Sequence, residues 1–203
     1  MKLLFESWRK YIDEVCDDTE GAINIAQDVH ATQTRRSGEP YFIHPEAVAK
    51  YVEFYGYSKQ DDKIVEIVAY LHDSVEDAED PEAVKARIKE ECPEALPVIL
   101  ALSHDKKILP NYNDYIRTLL GDDLVSQRAL IIKLLDMLHN SQDVGPGDRQ
   151  YKKYHEALTS IQDHFGGKPP ILTDEHWNAL MDRLGKPSEE NIQDRAAELE
   201  NKR

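Results

Sequence analysis

Cysteine is scarce: Cys16 and Cys92 are the two in 203 residues, far apart and in no metal-ligand spacing. That argues against a disulfide framework and makes a reducing cytoplasm the expected compartment. No apolar run approaches the roughly 18 residues of a membrane-spanning helix, so no membrane segment is expected. The opening Met1–Glu6 turns charged too early for a secretory signal, and export is not expected. Basic residues are outnumbered 25 to 39, for a net charge of −14. Such a surplus of acid disfavours unspecific contact with nucleic acid or anionic lipid. Any phosphate-bearing ligand must then be met by a local basic patch or a metal.

What is present suits one ordinary domain with a short appendage. Hydrophobic residues at 40% are enough for a real core. Proline and glycine are sparse until the C-terminal third, and apolar residues recur at helical spacing. The pattern predicts helices over 4–16, 20–34, 45–56, 62–73, 81–91, 94–102, 111–120, 123–139, 148–164 and 174–184. No run alternates with period two, so an all-α fold is expected. Pro45 and Pro81 sit where a first helical turn tolerates proline. Asp174 reads as an N-cap and Gly185 as a stop. The break at Gly166-Gly167-Lys168-Pro169-Pro170 divides a domain over 1–165 from an appendage over 166–203. The appendage comprises an amphipathic helix bearing Trp177, Leu180, Met181 and Leu184, then a polar tail from Lys186.

Four segments carry chemistry. In the first, Arg35-Arg36-Ser37-Gly38-Glu39-Pro40-Tyr41 runs into Phe42-Ile43-His44-Pro45. Arginine forks and turn amides suit phosphate, although an Arg-Arg pair also serves as a solvated turn. In the second, His72-Asp73 ends an apolar helix and Glu76-Asp77 follows at i+4, gathering four polar groups if the helix continues. The bland alternative is an acidic surface loop over 74–82. In the third, Asp136, His139 and Asn140 share one face of a helix whose Ile131, Leu134, Leu135 and Leu138 bind it to the core. A buried aspartate needs a cation or donors, unless it pairs with Lys133 at the surface. The fourth, weaker segment runs from Arg149 to His155. His44, His72, Asp73 and Asp136 together offer two imidazoles and two carboxylates, a set suited to Mn²⁺, Fe²⁺ or Zn²⁺ with room left for water. His44 alone reads equally well as a packed histidine.

In this order and spacing the motifs resemble the HD hydrolase domain of the RelA/SpoT family, above all small stand-alone alarmone hydrolases. The resemblance covers about residues 20–160, leaves too little chain for a synthetase, and implies an α-helical HD fold. It implies a bound Mn²⁺ and removal of the 3′-pyrophosphate from ppGpp or pppGpp. By motif, His44, His72, Asp73 and Asp136 would hold the metal, while Glu76 and Asp77 would orient and activate water. Arg35, Arg36, Ser37 and Asn140 would contact the nucleotide. Arg149, Lys153 and Tyr154 would add phosphate and substrate contacts, and His30 fits a packed, structural position. Two departures stand out. Arg36 replaces a common lysine, and Asp143 lies near a common threonine, where its charge would repel phosphate. Residues 103–121 and the chain after Gly166 carry no transferable motif. A second reading keeps the chemistry on another nucleotide, a deoxynucleotide monophosphate or NADPH. A third makes the protein an antitoxin-like regulator that docks through the Trp177 helix.

Overall fold

The computed structural model describes residues 19–58, 63–142 and 144–185. The expected helix over 4–16, Cys16, Asp143 and the polar tail lie outside the described residues. Within them are nine α-helices and no strand: α1 Thr19–Val29, α2 Ile43–Phe54, α3 Ile64–Leu71, α4 Pro81–Glu91, α5 Leu96–Leu102, α6 Tyr112–Thr118, α7 Leu124–Asn140, α8 Arg149–Phe165 and α9 Asp174–Leu184. No helix among the described residues is long and apolar enough to cross a membrane.

Two helices organise the core because they are apolar nearly all round. In α3, Ile64, Val65, Ile67, Val68, Ala69 and Leu71 are all buried, and the helix packs on α1, α2, α5 and α7. In α7, residues 129–138 are buried with the exception of Lys133, which is half-buried. Asp123 starts α7 by accepting from the Val125 and Ser126 amides at 3.0 Å. Each Ile, Leu or Val so buried contributes about 1.5–3 kcal/mol. Asp136 and His72 are therefore carried on the two most deeply buried helices.

The expected helix over 20–34 stops at Val29. Beyond it, Arg35 N–H donates to the Glu39 carbonyl at 2.8 Å and Tyr41 N–H to Gln33 at 3.0 Å, around an antiparallel bridge between Thr34 and Pro40. Gly38, at φ +89°, makes that reversal possible. α2 begins before Pro45, placing His44 in its first turn. α3 ends at Leu71 instead of residue 73, and His72 caps it. The chain does not run on as α-helix through Glu76, yet the following turn is no surface loop, for Ser74 and Val75 are buried.

α9 packs on α7 and α8, burying His176, Leu180 and Leu184, with Trp177 and Met181 laid against the core. A docking role for this face thus loses the exposed stripe that suggested it. The N-cap is Thr173, not Asp174: its hydroxyl accepts from His176 N–H at 3.3 Å, whereas Asp174 pairs with Lys168 at 2.8 Å.

His176 Nδ1 lies 2.8 Å from the Tyr57 hydroxyl and its ring stacks on Tyr55. Burial pushes its pKa down to about 4. The unfolded chain takes that proton near pH 6.5. The neutral histidine's contribution is therefore full above pH 6.5 and is lost as pH falls towards 4. The 2.5-unit difference corresponds to about 3 kcal/mol. Urea unfolding at pH 7 and pH 4.5 should show this loss in the wild type and a flatter dependence in His176→Gln. Equal slopes would remove His176 from the acid response.

Candidate metal centre

The first turn of α2, the C-cap of α3 and the C-terminal part of α7 bring three buried side chains to one point. The ligand atoms of His44, His72 and Asp136 lie within 4.8 Å of one another. His44 Nε2 is 3.2 Å from His72 Nε2 and 3.1 Å from Asp136 Oδ1. The half-buried Asp73 joins them, with Oδ2 3.2 Å from His72 Nε2 and 3.5 Å from His44 Nε2. Each imidazole is oriented from behind. His72 Nδ1 donates to the Ala69 carbonyl at 2.8 Å, which leaves Nε2 as the lone pair facing inward. His44 Nδ1 shares a 2.8 Å hydrogen bond with His139 Nδ1, so donation from His44 turns its Nε2 to the same point. Tyr41 donates to Asp73 Oδ2 at 2.7 Å.

The charges within this cluster oppose burial. Desolvation disfavours protonated His72, yet Asp73 and Asp136 outweigh it and push the pKa up to about 9. Desolvation likewise favours the neutral acids, yet the two histidines hold Asp73 well below the usual carboxylate range. Lys133, with His44 and His72, does the same for Asp136. Two ionised carboxylates in this setting require positive charge, to which protonated His72 contributes. A divalent cation would fit the same inward-facing atoms and take over as the neutralising charge.

Asp136 meets partners through both of its oxygens. Its Oδ1 faces His44, and its Oδ2 pairs with Lys133 Nζ at 2.9 Å. The pair is not at the surface: the Lys133 and Asp136 side chains are 18% and 6% exposed, so the lysine is structural support for the ligand. Asn140 Nδ2 donates to Asp136 Oδ1, and Asn140 Oδ1 accepts from Arg35 Nη2 at 3.2 Å. The arginine loop is thereby tied to the cluster through α7.

Beside the cluster opens a cleft of about 950 Å³. Arg36, Lys106, Lys133, Arg149, Lys152 and Lys153 line it, against Glu76, Asp148 and Glu156 among the acids. In a chain of net charge −14, this is the local basic surface that an anionic ligand requires. Lys153 Nζ stands 4.4 Å over the Tyr112 ring.

No family model matches the chain. Curated proteins do. The chain is 32% identical over 145 residues to a probable GTP pyrophosphokinase of Mycobacterium leprae, covering 69% of this chain and 18% of that protein. It is 30% identical over 145 residues to a probable guanosine-3′,5′-bis(diphosphate) 3′-pyrophosphohydrolase of Synechocystis, covering 66% and 19%. Over 154 residues it is 32% identical to the bifunctional (p)ppGpp synthase/hydrolase SpoT of Escherichia coli, covering 70% and 21%. Over about two thirds of its length the chain is thus similar to proteins of the RelA/SpoT family. It spans about a fifth of the length of these relatives.

The residues that the RelA/SpoT motifs single out are not all gathered equally. His44, His72, Asp73 and Asp136 converge, with Asp77 half-buried behind Asp73 and Glu76 on the cleft. Burial and the neighbouring Asp73 raise the Asp77 carboxyl above its ordinary range. Arg36, Arg149 and Lys153 line the cleft. Ser37 is exposed and donates to Glu39 at 3.1 Å. Tyr154 is buried behind the wall, its hydroxyl accepting from Gln150 at 2.9 Å. His30 is packed, its ring tilted against Tyr41, and bonded to Gln33 at 2.7 Å.

Several residues of the HD site escaped the motifs. Tyr41 lies inside the first motif without an assigned role, and His139 was noted only as sharing the face of Asp136. His104, Lys106, Asn111 and Tyr112 line the cleft from 103–121. These are single polar residues with no periodic signal, brought there by the packing of α6 on α8.

Proposed function

We propose that the chain is a metal-dependent hydrolase that removes the 3′-pyrophosphate from (p)ppGpp, with Mn²⁺ as its metal. The observation that carries this reading is a buried His44-His72-Asp136 cluster joined through Lys133 to the wall of a basic cleft in an acidic protein. His44, His72, Asp73 and Asp136 would hold the metal. When bound, the cation supplies Lewis acidity to water and to the phosphate oxygens.

The chain's own groups do the rest. Asp77, whose proton affinity burial and Asp73 have raised, accepts the proton of the attacking water. Glu76, half-exposed at the cleft, orients that water. The water oxygen bonds to the phosphorus attached to the ribose 3′-oxygen. The bond from that phosphorus to the 3′-oxygen breaks, and the oxygen leaves to be protonated, freeing pyrophosphate. Arg36, Arg149 and Lys153 meet phosphate charge in the cleft. Arg35, Ser37 and Asn140 border the nucleotide, and Tyr154 backs the wall.

Metal-stripped protein, titrated with Mn²⁺ against ppGpp, pppGpp, NADPH and deoxynucleotide monophosphates, tests the reading. Release of pyrophosphate from the guanosine substrates, dependent on metal, is the expected result. Inert ppGpp beside robust release from another nucleotide would transfer the chemistry to that nucleotide.

A further inference from the structure

α7, the helix that carries Asp136 and Asn140, ends at Asn140, and its last carbonyls are met locally: Met137 by Ser141 N–H, Leu138 by the Ser141 hydroxyl and His139 by Gln142 N–H. Three carbonyls in the chain beyond it turn towards one cation. Arg183 Nη2, with two N–H bonds to share among them, lies against the carbonyl of Ser141, that of Gln142 at 2.9 Å and that of Val144 at 2.6 Å. A guanidinium facing the negative end of a helix makes charge-assisted bonds of the stronger kind.

Arg183 comes from α9, beyond the stretch where the motifs lie. It is held from both sides. Leu180 and Leu184 are fully buried, and the Leu184 carbonyl accepts from His155 Nδ1 of α8 at 2.7 Å. The chain clamped by Arg183 leads directly into the cleft, supplying Val144, Asp148 and Arg149, then Lys152 and Lys153 from α8. Gly145 N–H donates to Asp148 Oδ2 at 2.6 Å and Asp148 N–H to the Gly145 carbonyl at 2.9 Å. Those bonds shape the turn, while Arg183 ties it to the end of α7. Two surfaces that must stay in register, the carboxylate of Asp136 and the basic wall from Arg149 to Lys153, are thus joined by one side chain from a third helix.

We infer that Arg183 is a positioning residue that sets the basic wall of the cleft against the metal cluster, and so governs affinity for the phosphorylated substrate. This rests on the proposed function for its substrate, although the brace itself does not. A wall moved away from the cluster weakens binding of phosphate while leaving the metal ligands and the water-activating acids in place. A residue needed merely for folding would lower activity and stability together.

The test uses the full chain loaded with Mn²⁺. In Arg183→Ala the KM for ppGpp should rise about tenfold, with kcat within about threefold and metal content unchanged. Amide exchange over 144–153 should quicken. Added guanidinium should reverse both effects in this variant and neither in the wild type. Arg183→Lys keeps the charge but ends short of the position that Nη2 occupies, and should restore stability more than KM. An unchanged KM would overturn the inference, as would joint loss of kcat and melting temperature that guanidinium does not rescue. If the wild type leaves ppGpp intact, the functional reading fails by itself. The brace is then judged on affinity for inorganic pyrophosphate, where the same tenfold weakening is expected and equal affinity refutes it.

Discussion

Replacing Asp136 with alanine is expected to remove bound metal and to lower pyrophosphate release by about three orders of magnitude or more. Asp136 is held through both of its oxygens. Its Oδ1 meets His44 and Asn140, and its Oδ2 meets Lys133. Asp136→Ala would leave Lys133 buried without its counter-ion, at a cost of about 3–5 kcal/mol. The two losses have different causes and can be separated. The double variant Lys133→Met, Asp136→Leu removes both charges from one patch of α7 and should regain most of the stability while remaining metal-free and inactive. Denaturant titration, metal analysis and a pyrophosphate assay on the two proteins suffice. Full metal content and turnover in Asp136→Ala would remove this residue from the centre.

The fold was legible because its signal is local. The stripes of α3 and α7 recur at helical spacing, and the motifs mark where polar residues interrupt them. The stopping point of α1 was not legible. Residues 30–34 keep a helical pattern, but pairing of Thr34 with Pro40, turned by Gly38, competes for the same backbone groups and prevails. Capping failed by one residue at α9 for a similar reason. Threonine and aspartate both cap well, and Lys168 draws Asp174 away.

Within the site, the ligand types were readable but their supports were not. Lys133 was visible only as a surface alternative, because burial of a lysine depends on what covers it. Asn140 also bridges Arg35 to Asp136, its bond to Arg35 made across 105 residues of sequence. Arg183 meets carbonyls about 40 residues away and leaves no trace in any local pattern. Such contacts become visible only once α9 is folded onto α7.

The second large effect concerns the pair that follows His72-Asp73. Asp77→Asn should lower kcat by about 10²–10⁴-fold with metal content retained, and Glu76→Gln should lower it less. The two acids are adjacent in sequence but differ in surroundings. Asp77 is held on both sides of its backbone, its N–H donating to the Asp73 carbonyl at 2.9 Å and its carbonyl accepting from Gln33 Nε2 at 2.9 Å. Burial and the charge on Asp73 favour a proton on its carboxyl. Glu76 stands at the cleft, with Oε1 3.8 Å from Lys106, where water and salt weaken its pull. A fixed group with raised proton affinity is suited to take a proton from water, and a solvated one to guide it. Single-turnover assays on both variants, with manganese content measured on the same samples, decide between these roles. If Glu76→Gln proves the more damaging, the base is Glu76, and the buried acid serves to hold the Asp73 turn in place.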